Sequence, residues 1–340
     1  MASSEEAPDR PKRRWGLLLR VLLSGALLGY LLSRLDRGAL ITAMADVEVT
    51  GWLLAVLLYL LSQIASGIRW ATLARPVGFQ LGWLRFQQLY FEGMFFSLCL
   101  PSSIGGDVVK ALRLGGDGRG RVLAACTVVA DRVAGLLAIM LIGFTALAQR
   151  SYSLSAAQTA GVGLVLTIAV LAGTRIGFAL LDWPAGRIPN HHPIAHYLER
   201  LLPYHHHPYV FWGAIGLGLV VQGLNVLTVI ALDRALGLDL PAEAYCIAVP
   251  LVGLMTALPI SLNGVGVREG GLVWILATYG LTDALGVALG LLWFSVTVAT
   301  GLIGGLVYLL GPPLKKPEKD SLATTQDDPD QEAAYCSAVN

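Results

Sequence analysis

Two short segments place charged residues beside glycine and proline within otherwise apolar sequence. Residues 100–114 read LPSSIGGDVVKALRL, and residues 258–272 read LPISLNGVGVREGGL. A charged side chain in the middle of a membrane costs about 2.5–3.5 kcal/mol on insertion scales, so a charge kept there indicates a functional site. Broken backbone at membrane depth is tolerated only where protein or a water-filled cavity covers it. These two segments are therefore the first candidates for binding a polar ligand.

The first segment offers a carboxylate and an ammonium group after a pair of glycines. Asp107 and Lys110 are three residues apart, so on a helix they share a face and lie close enough to pair. Gly105 and Gly106 would let backbone amides approach a ligand, and the positive end of the helix dipole suits phosphate. With Ser103, these residues are candidate contacts to an anionic head group. The alternative is that Asp107 caps the helix and Lys110 extends to the membrane interface.

The second segment offers an arginine, whose planar guanidinium matches the geometry of phosphate. Arg268 and Glu269 follow Asn263 and Gly264, and all four are candidate contacts. Two cationic side chains, Lys110 and Arg268, could then bind one phosphate near the middle of the membrane. The alternative is that Arg268 and Glu269 face water in a loop.

Three further charged residues within apolar sequence, Glu92, Asp131 and Arg132, are also candidate contacts to the ligand. Asp131 and Arg132 are adjacent, so they point to different faces of a helix and each needs its own partner. A structural ion pair is the alternative to a role in a cavity. Glu92 lies about three turns before a proline, and a pairing with Arg132 or Lys110 is open.

Other polar residues fit structural roles. Arg69 and Arg75, near the end of an apolar segment, are expected to be cytoplasmic anchors. Gln222 and Asn225 share a helix face and are expected to hydrogen-bond to a neighbouring helix.

The sequence predicts neither a metal site nor a cofactor. Residues 182–208 contain six histidines, of which His192 and His196 have the spacing of metal ligands, but only Glu199 could complete a site. A solvated interfacial loop is the preferred interpretation. There is no Gly-Lys-Ser phosphate loop, so ATP hydrolysis is not expected. The four cysteines show no paired spacing and predict no disulfide framework.

Composition indicates an integral membrane protein. Of the 340 residues, 55% are hydrophobic and 14% are charged, whereas a soluble domain carries about a quarter charged residues. The net charge of +1 gives no reason to expect a nucleic-acid partner.

The two charged segments also resemble each other, which indicates an internal repeat. When residue 258 is aligned on residue 100, a leucine, a proline, a serine, a glycine and a valine coincide, and Arg268 matches Lys110. Interrupted helices at corresponding positions of two halves are typical of a transporter's substrate site.

An all-α polytopic fold follows from the apolar segments. We predict about six full spans, at 15–33, 51–73, 122–148, 158–181, 209–232 and 284–310. Residues 84–114 and 242–280 would form two re-entrant helical hairpins that enter from opposite faces as an inverted repeat. Eight simple spans are the alternative. Glycines in the last span suit close helix packing.

The charges flanking the spans suggest an orientation. The basic segment 1–14 predicts a cytoplasmic N-terminus, and an even number of crossings returns the C-terminus to the same side of the cytoplasmic membrane. The transmembrane domain would cover 15–312, with repeat halves at about 51–150 and 209–311. The tail 313–340 is acidic and is predicted to be disordered.

Both motifs resemble those of the lysylphosphatidylglycerol synthase transmembrane family, also called flippase-like domain proteins. The first motif stands here as Pro101, Gly105, Gly106 and Asp107, followed by Lys110 and Arg113. The second stands as Pro259, Gly264, Gly266, Arg268 and Glu269. The Asp131-Arg132 pair also looks like a family feature.

The resemblance implies that the chain translocates a lipid with a large polar head group across the cytoplasmic membrane. Its partners would be lipids with anionic, aminoacylated or glycosylated head groups. The tail 313–340 is too short for the family's soluble synthase domain, so enzymatic activity is not expected. One alternative is a non-transporting partner or regulator of a separately encoded glycosyltransferase or lipid synthase. Another is an integral-membrane transferase that uses the buried carboxylates.

The transport hypothesis makes a geometric prediction. Asp107 and Lys110 should lie near Arg268 and Glu269 across one cavity between the two hairpins. Rocking of one half against the other would then expose that cavity to each side of the membrane in turn.

Overall fold

The computed structural model describes residues 29, 37–100, 105–116, 119–152, 154–185, 208–257, 261 and 263–311. Ten helices with defined bounds cover most of these residues: α1 (Arg37–Ala45), α2 (Val49–Ala74), α3 (Trp83–Cys99), α4 (Gly105–Gly115), α5 (Arg119–Tyr152), α6 (Ala156–Ala185), α7 (Pro208–Ala235), α8 (Ala242–Ala257), α9 (Val267–Leu276) and α10 (Asp283–Leu310). The described part contains no strand, which confirms the all-α prediction for it.

Several predictions fall outside these residues. They concern the basic N-terminus, the span at 15–33, most of the histidine-rich connection and the acidic tail. Ser103 also lies outside the described residues.

Within the described residues, five helices are long and apolar enough to cross a membrane. The crossing segments are Val49–Ala74, Gly120–Ser151, Ala157–Thr174, Tyr209–Ala235 and Asp283–Leu310. At 1.5 Å per residue, a helix of about 20 residues crosses a hydrocarbon core of about 30 Å. They overlap five of the six predicted spans. The predicted boundaries differ from theirs by at most three residues, except that the predicted span 158–181 extends past Thr174.

The first charged segment joins two short helices that pack side by side. Helix α3 has 17 residues and α4 has 11. Near the break, a Cβ on Gly106 would lie 2.0 Å from the Ser97 hydroxyl oxygen, while farther from it Glu92 pairs with Arg113. Residues near the break on α3 contact residues near the break on α4, and residues far from it on α3 contact residues far from it on α4. The two helices therefore run antiparallel.

The second charged segment has the same form. Helix α8 has 16 residues and α9 has 10. A Cβ on Gly264 would lie 2.8 Å from Thr256, and a Cβ on Gly271 would lie 3.1 Å from Val252, so these helices also run antiparallel. Each predicted hairpin is therefore a pair of short antiparallel helices.

Helix α10 contacts both hairpins through its glycines. A Cβ on Gly290 would lie 2.9 Å from Glu269 in α9. Farther along, a Cβ on Gly301 would lie 2.1 Å from Leu98, and one on Gly304 would lie 2.2 Å from the Phe91 carbonyl oxygen, both in α3. The prediction that these glycines serve close helix packing is confirmed.

Helices α2 and α7 pack against each other along much of their length. They run antiparallel, because Gly51 abuts Ala235 at one end and the Ser62 hydroxyl donates to the Asn225 side chain, at 3.0 Å, farther along. The predicted interhelical role of Asn225 is confirmed, whereas Gln222 accepts a bond from Asn225 within α7. Buried apolar side chains on both sides of this pair hold the hairpins in place.

Candidate functional site

A cavity of about 950 Å³ is lined by residues of both hairpins, including residues that flank each break. Ser97 and Leu98 line it from the end of α3, and Thr256 and Asn263 line it from the break after α8. Helices α2, α4, α5, α9 and α10 complete the wall. A volume near the upper end of the usual range for ligand sites leaves room for a polar head group.

One carboxylate in the cavity binds two cations. The Lys110 ammonium lies 2.7 Å from Asp107, and the Arg132 guanidinium lies 2.6 Å from the other carboxylate oxygen. Asp107 and Lys110 are each 8% exposed, whereas the Arg132 side chain is 54% exposed, so the carboxylate is buried and one of its two cations is not. The predicted pairing of Asp107 with Lys110 is confirmed, and the cluster keeps one positive charge in excess.

Lys110 is held by aromatic rings as well as by Asp107. Its ammonium lies 4.8 Å from the centroid of the Tyr90 ring and 5.7 Å from that of Trp70. A cation over an aromatic face is stabilised by the ring quadrupole. Gly93 provides the space, because a Cβ there would lie 2.6 Å from the Lys110 stem.

The second carboxylate of the cavity wall, Asp131, forms an ion pair with another arginine. Arg69 on α2 donates two hydrogen bonds to Asp131 on α5, at 2.7 and 3.2 Å. Both side chains are buried. The expectation that Arg69 is a cytoplasmic anchor is therefore wrong, because α2 carries it into the bundle beside the cavity. Asp131 and Arg132 each have their own partner, as predicted.

Arg268 is a buried cation that has no acidic partner at hydrogen-bond distance among the described residues. It is 9% exposed, and its Nη1 atom has no hydrogen-bond partner within the described residues. Its guanidinium lies 5.3 Å from the centroid of the Trp293 ring and 5.6 Å from that of Phe294. A buried, unsatisfied cation is costly, so a charged ligand in the cavity would stabilise it.

The neighbouring acid, Glu269, interacts with Arg268 electrostatically but forms no close ion pair with it. Glu269 accepts a hydrogen bond from the Gly266 N–H at 2.6 Å and so caps the start of α9. Its side chain is buried but is not part of the cavity wall. The cavity therefore contains Asp107, Lys110 and Arg268, while Glu269 supports the helix that carries Arg268.

The wall is positively charged overall. Its five basic residues are Arg69, Lys110, Arg121, Arg132 and Arg268, and its two acidic residues are Asp107 and Asp131. Both acids are already paired with residues of this set. The arrangement favours an anionic ligand.

Several other sequence candidates have structural contacts instead of positions on the wall. A Cβ on Gly106 would lie 2.0 Å from the Gly93 carbonyl oxygen, and one on Gly105 would lie 2.7 Å from Leu100. Both glycines allow α3 and α4 to approach closely. Gly264, at φ +79°, does the same for the second hairpin against Thr256.

Glu92 also lies off the cavity wall. It pairs with Arg113 at 2.6 Å and accepts a hydrogen bond from Gln88 at 3.0 Å. Neither of the partners suggested by the sequence, Arg132 and Lys110, binds it. Asn263, in contrast, does line the cavity and adopts φ 49°.

Sequence reasoning missed Arg69 and the aromatic residues Tyr90 and Trp70. A usable signal existed for Arg69. Asp131 lies deep in an apolar segment and requires a cation, and Arg69 is one of the few basic residues within another such segment. The aromatic residues gave no comparable signal, because their contacts with Lys110 depend on how α2, α3 and α4 pack.

Comparison with known proteins adds one match. The family model described as "Lysylphosphatidylglycerol synthase TM region" matches residues 17–305. No curated protein matches the chain. The matched region contains both hairpins and every residue of the cavity wall.

Proposed function

Because the chain belongs to the lysylphosphatidylglycerol synthase transmembrane family, we propose that it translocates a lipid with an anionic head group across the cytoplasmic membrane. Family membership and the five apolar helices make it a multi-pass membrane protein of a lipid-related family. The observation that carries the proposal is Arg268, a buried guanidinium without an acidic partner among the described residues that faces a positively charged cavity.

Arg268 is the first anchor for the head group. Its guanidinium offers several N–H donors in one plane, which suits two oxygens of one phosphate. The aromatic rings of Trp293 and Phe294 hold it in place when no anion is bound. Binding of the phosphate then supplies the missing negative charge.

Lys110 and Arg132 are the second anchor. They share Asp107, so an arriving phosphate competes with a carboxylate that the protein already provides. Asp107 keeps both cations oriented and limits how tightly the head group binds. A transporter needs that limit, because a site that binds too strongly does not release its substrate.

The two hairpins provide the access routes. We propose that both are re-entrant and enter from opposite faces, with both termini cytoplasmic. A helix of 17 residues such as α3 is about 25 Å long, which is shorter than a hydrocarbon core of about 30 Å. Movement of one hairpin relative to the other would open the cavity first to one side and then to the other.

The test is lipid movement by the purified protein in liposomes. A fluorescent anionic phospholipid placed in both leaflets is bleached from outside with dithionite, which reports how quickly the inner lipid becomes accessible. We expect Arg268→Ala to reduce the rate at least tenfold and Arg268→Lys to reduce it less. Arg75→Ala, at an exposed position away from the cavity, is the matched control.

Two results would contradict the proposal. Unchanged lipid movement in Arg268→Ala, at equal protein content, removes the assigned site. No lipid movement by the unmodified protein, together with stable co-purification of a lipid synthase or glycosyltransferase, favours a non-transporting partner.

A further inference from the structure

The exposed residues of the cavity wall are concentrated on one side. Apart from Ala257, they all belong to α4 and α5: Val108, Leu112, Arg121, Ala125, Val129, Arg132 and Val133. The residues from α2, α3 and α10 are buried or half-buried. The cavity is therefore open along the outer face of α4 and α5.

That open side is mostly apolar. Val108 and Leu112 are four residues apart on α4, and Val129 and Val133 are four apart on α5, so each pair shares a helix face. The four side chains are between 41% and 60% exposed. We call these four residues the apolar stripe.

The apolar stripe is continuous because α4 and α5 run antiparallel in close contact. At one end of the contact Arg132 binds Asp107, and at the other a Cβ on Gly115 would lie 2.5 Å from the Gly120 carbonyl oxygen. Val108 and Leu112 on α4 and Val129 on α5 therefore lie between these points, and Val133 lies one residue beyond Arg132. Both α4 and α5 contribute to one surface.

The apolar stripe adjoins the charged part of the cavity. Arg132 follows Val129 by three residues on α5, and Asp107 directly precedes Val108 on α4. The Arg132 side chain is 54% exposed while its guanidinium binds the buried carboxylate of Asp107. The apolar stripe and the ion pair between Asp107 and Arg132 are therefore adjacent, so one ligand could contact both.

From this arrangement we infer that the acyl chains of the substrate lie along the apolar stripe while its phosphate occupies the cavity. The inference rests on the proposed function and specifies its ligand as a phospholipid with acyl chains. A water-soluble phosphate would use the basic residues but not the stripe. The lipid enters sideways from the bilayer, across the outer face of α4 and α5.

Two probes with the same polar group separate these possibilities. Dioctanoyl phosphatidic acid carries acyl chains, and glycerol 3-phosphate has the same phosphate and glycerol without them. Binding of each to the full-length protein in nanodiscs of neutral lipid is measured by titration. We expect Val129→Asn to weaken binding of the lipid about tenfold and to change binding of glycerol 3-phosphate less than twofold.

Phe144→Asn is the matched control, since Phe144 is an exposed apolar residue on the same helix and does not line the cavity. It should leave the affinity for both probes unchanged. Val108→Asn tests the stripe from the α4 side and should behave as Val129→Asn does. Val129→Thr, which keeps the side-chain shape, gives a smaller effect in the same direction if Val129→Asn does not fold.

The inference is overturned if Val129→Asn and Phe144→Asn have the same effect, or if the stripe variants weaken both probes equally. Failure of the proposed function has a different signature. In that case Arg268→Ala leaves the affinity for both probes unchanged, whatever the stripe variants do.

Discussion

Arg69 of α2 and Asp131 of α5 form a buried ion pair with two hydrogen bonds, and the residue after Asp131 is the arginine that binds Asp107. The structural pair therefore fixes α5 in the register that presents Arg132 to the cavity.

Removal of one member of the buried pair should destabilise the protein strongly. Arg69→Met leaves the carboxylate of Asp131 buried without a partner, a change that typically costs about 3–5 kcal/mol. Denaturant unfolding in detergent measures it. The double variant Arg69→Met with Asp131→Leu should recover much of the loss, because it leaves no unpaired charge. If the double variant is as unstable as the single one, charge pairing is not the main contribution of these two residues to the free energy of unfolding.

Removal of the negative charge of Asp107 should increase the affinity of the cavity for an anionic ligand. Asp107→Asn leaves Lys110 and Arg132 without their shared carboxylate, so we expect about tenfold tighter binding of dioctanoyl phosphatidic acid, or about 1.4 kcal/mol. Lipid movement in liposomes should slow, because release becomes harder. Weaker binding in this variant would show that Asp107 is needed to position the cations and does not compete with the ligand.

A methyl group at Gly106 should disrupt the first hairpin. Its Cβ would lie 2.0 Å from the backbone oxygen of Gly93, which cannot move without separating α3 from α4. Overpacking of this kind costs about 1–3 kcal/mol or more. Gly216→Ala on α7 is the control, since nothing lies within 4 Å of its Cβ. Thermal unfolding should show a clear loss for Gly106→Ala and no loss for Gly216→Ala.

Glu92 should matter for stability but not for ligand affinity. It is buried, pairs with Arg113 and does not line the cavity. Glu92→Gln weakens that pair, so we expect a lower unfolding temperature and less than a twofold change in affinity for dioctanoyl phosphatidic acid. A large fall in affinity without a change in stability would return Glu92 to the binding site.

The sequence was most informative where chemistry and local spacing coincide. The pairing of Asp107 with Lys110 depends on three-residue spacing within one helix, and the separate partners of Asp131 and Arg132 depend on adjacency. The two interrupted segments also predicted two pairs of short helices. In each case the information is contained in a few consecutive residues.

Residues whose role depends on a distant neighbour were harder to interpret. A glycine beside Asp107 fits close approach of a ligand as well as close approach of a helix, and only the position of Gly93 decides between them. Arg69 lies a few residues from the end of its helix, where an anchor and a buried ion pair look alike. The environment of Arg268 likewise depends on α10, whose packing its own segment does not specify.

The glycines of α10 have a consequence for how the chain is assembled during synthesis. Leu98 of the first hairpin packs against Gly301, which emerges from the ribosome roughly 200 residues later, or about 10–40 s at about 5–20 residues per second. Until then the hairpin lacks one wall and its charged residues have no closed cavity. The nascent chain must hold an incomplete polar hairpin in the membrane for that interval, so variants of Gly301 or Gly304 should raise degradation of newly made protein before they alter transport by the surviving molecules.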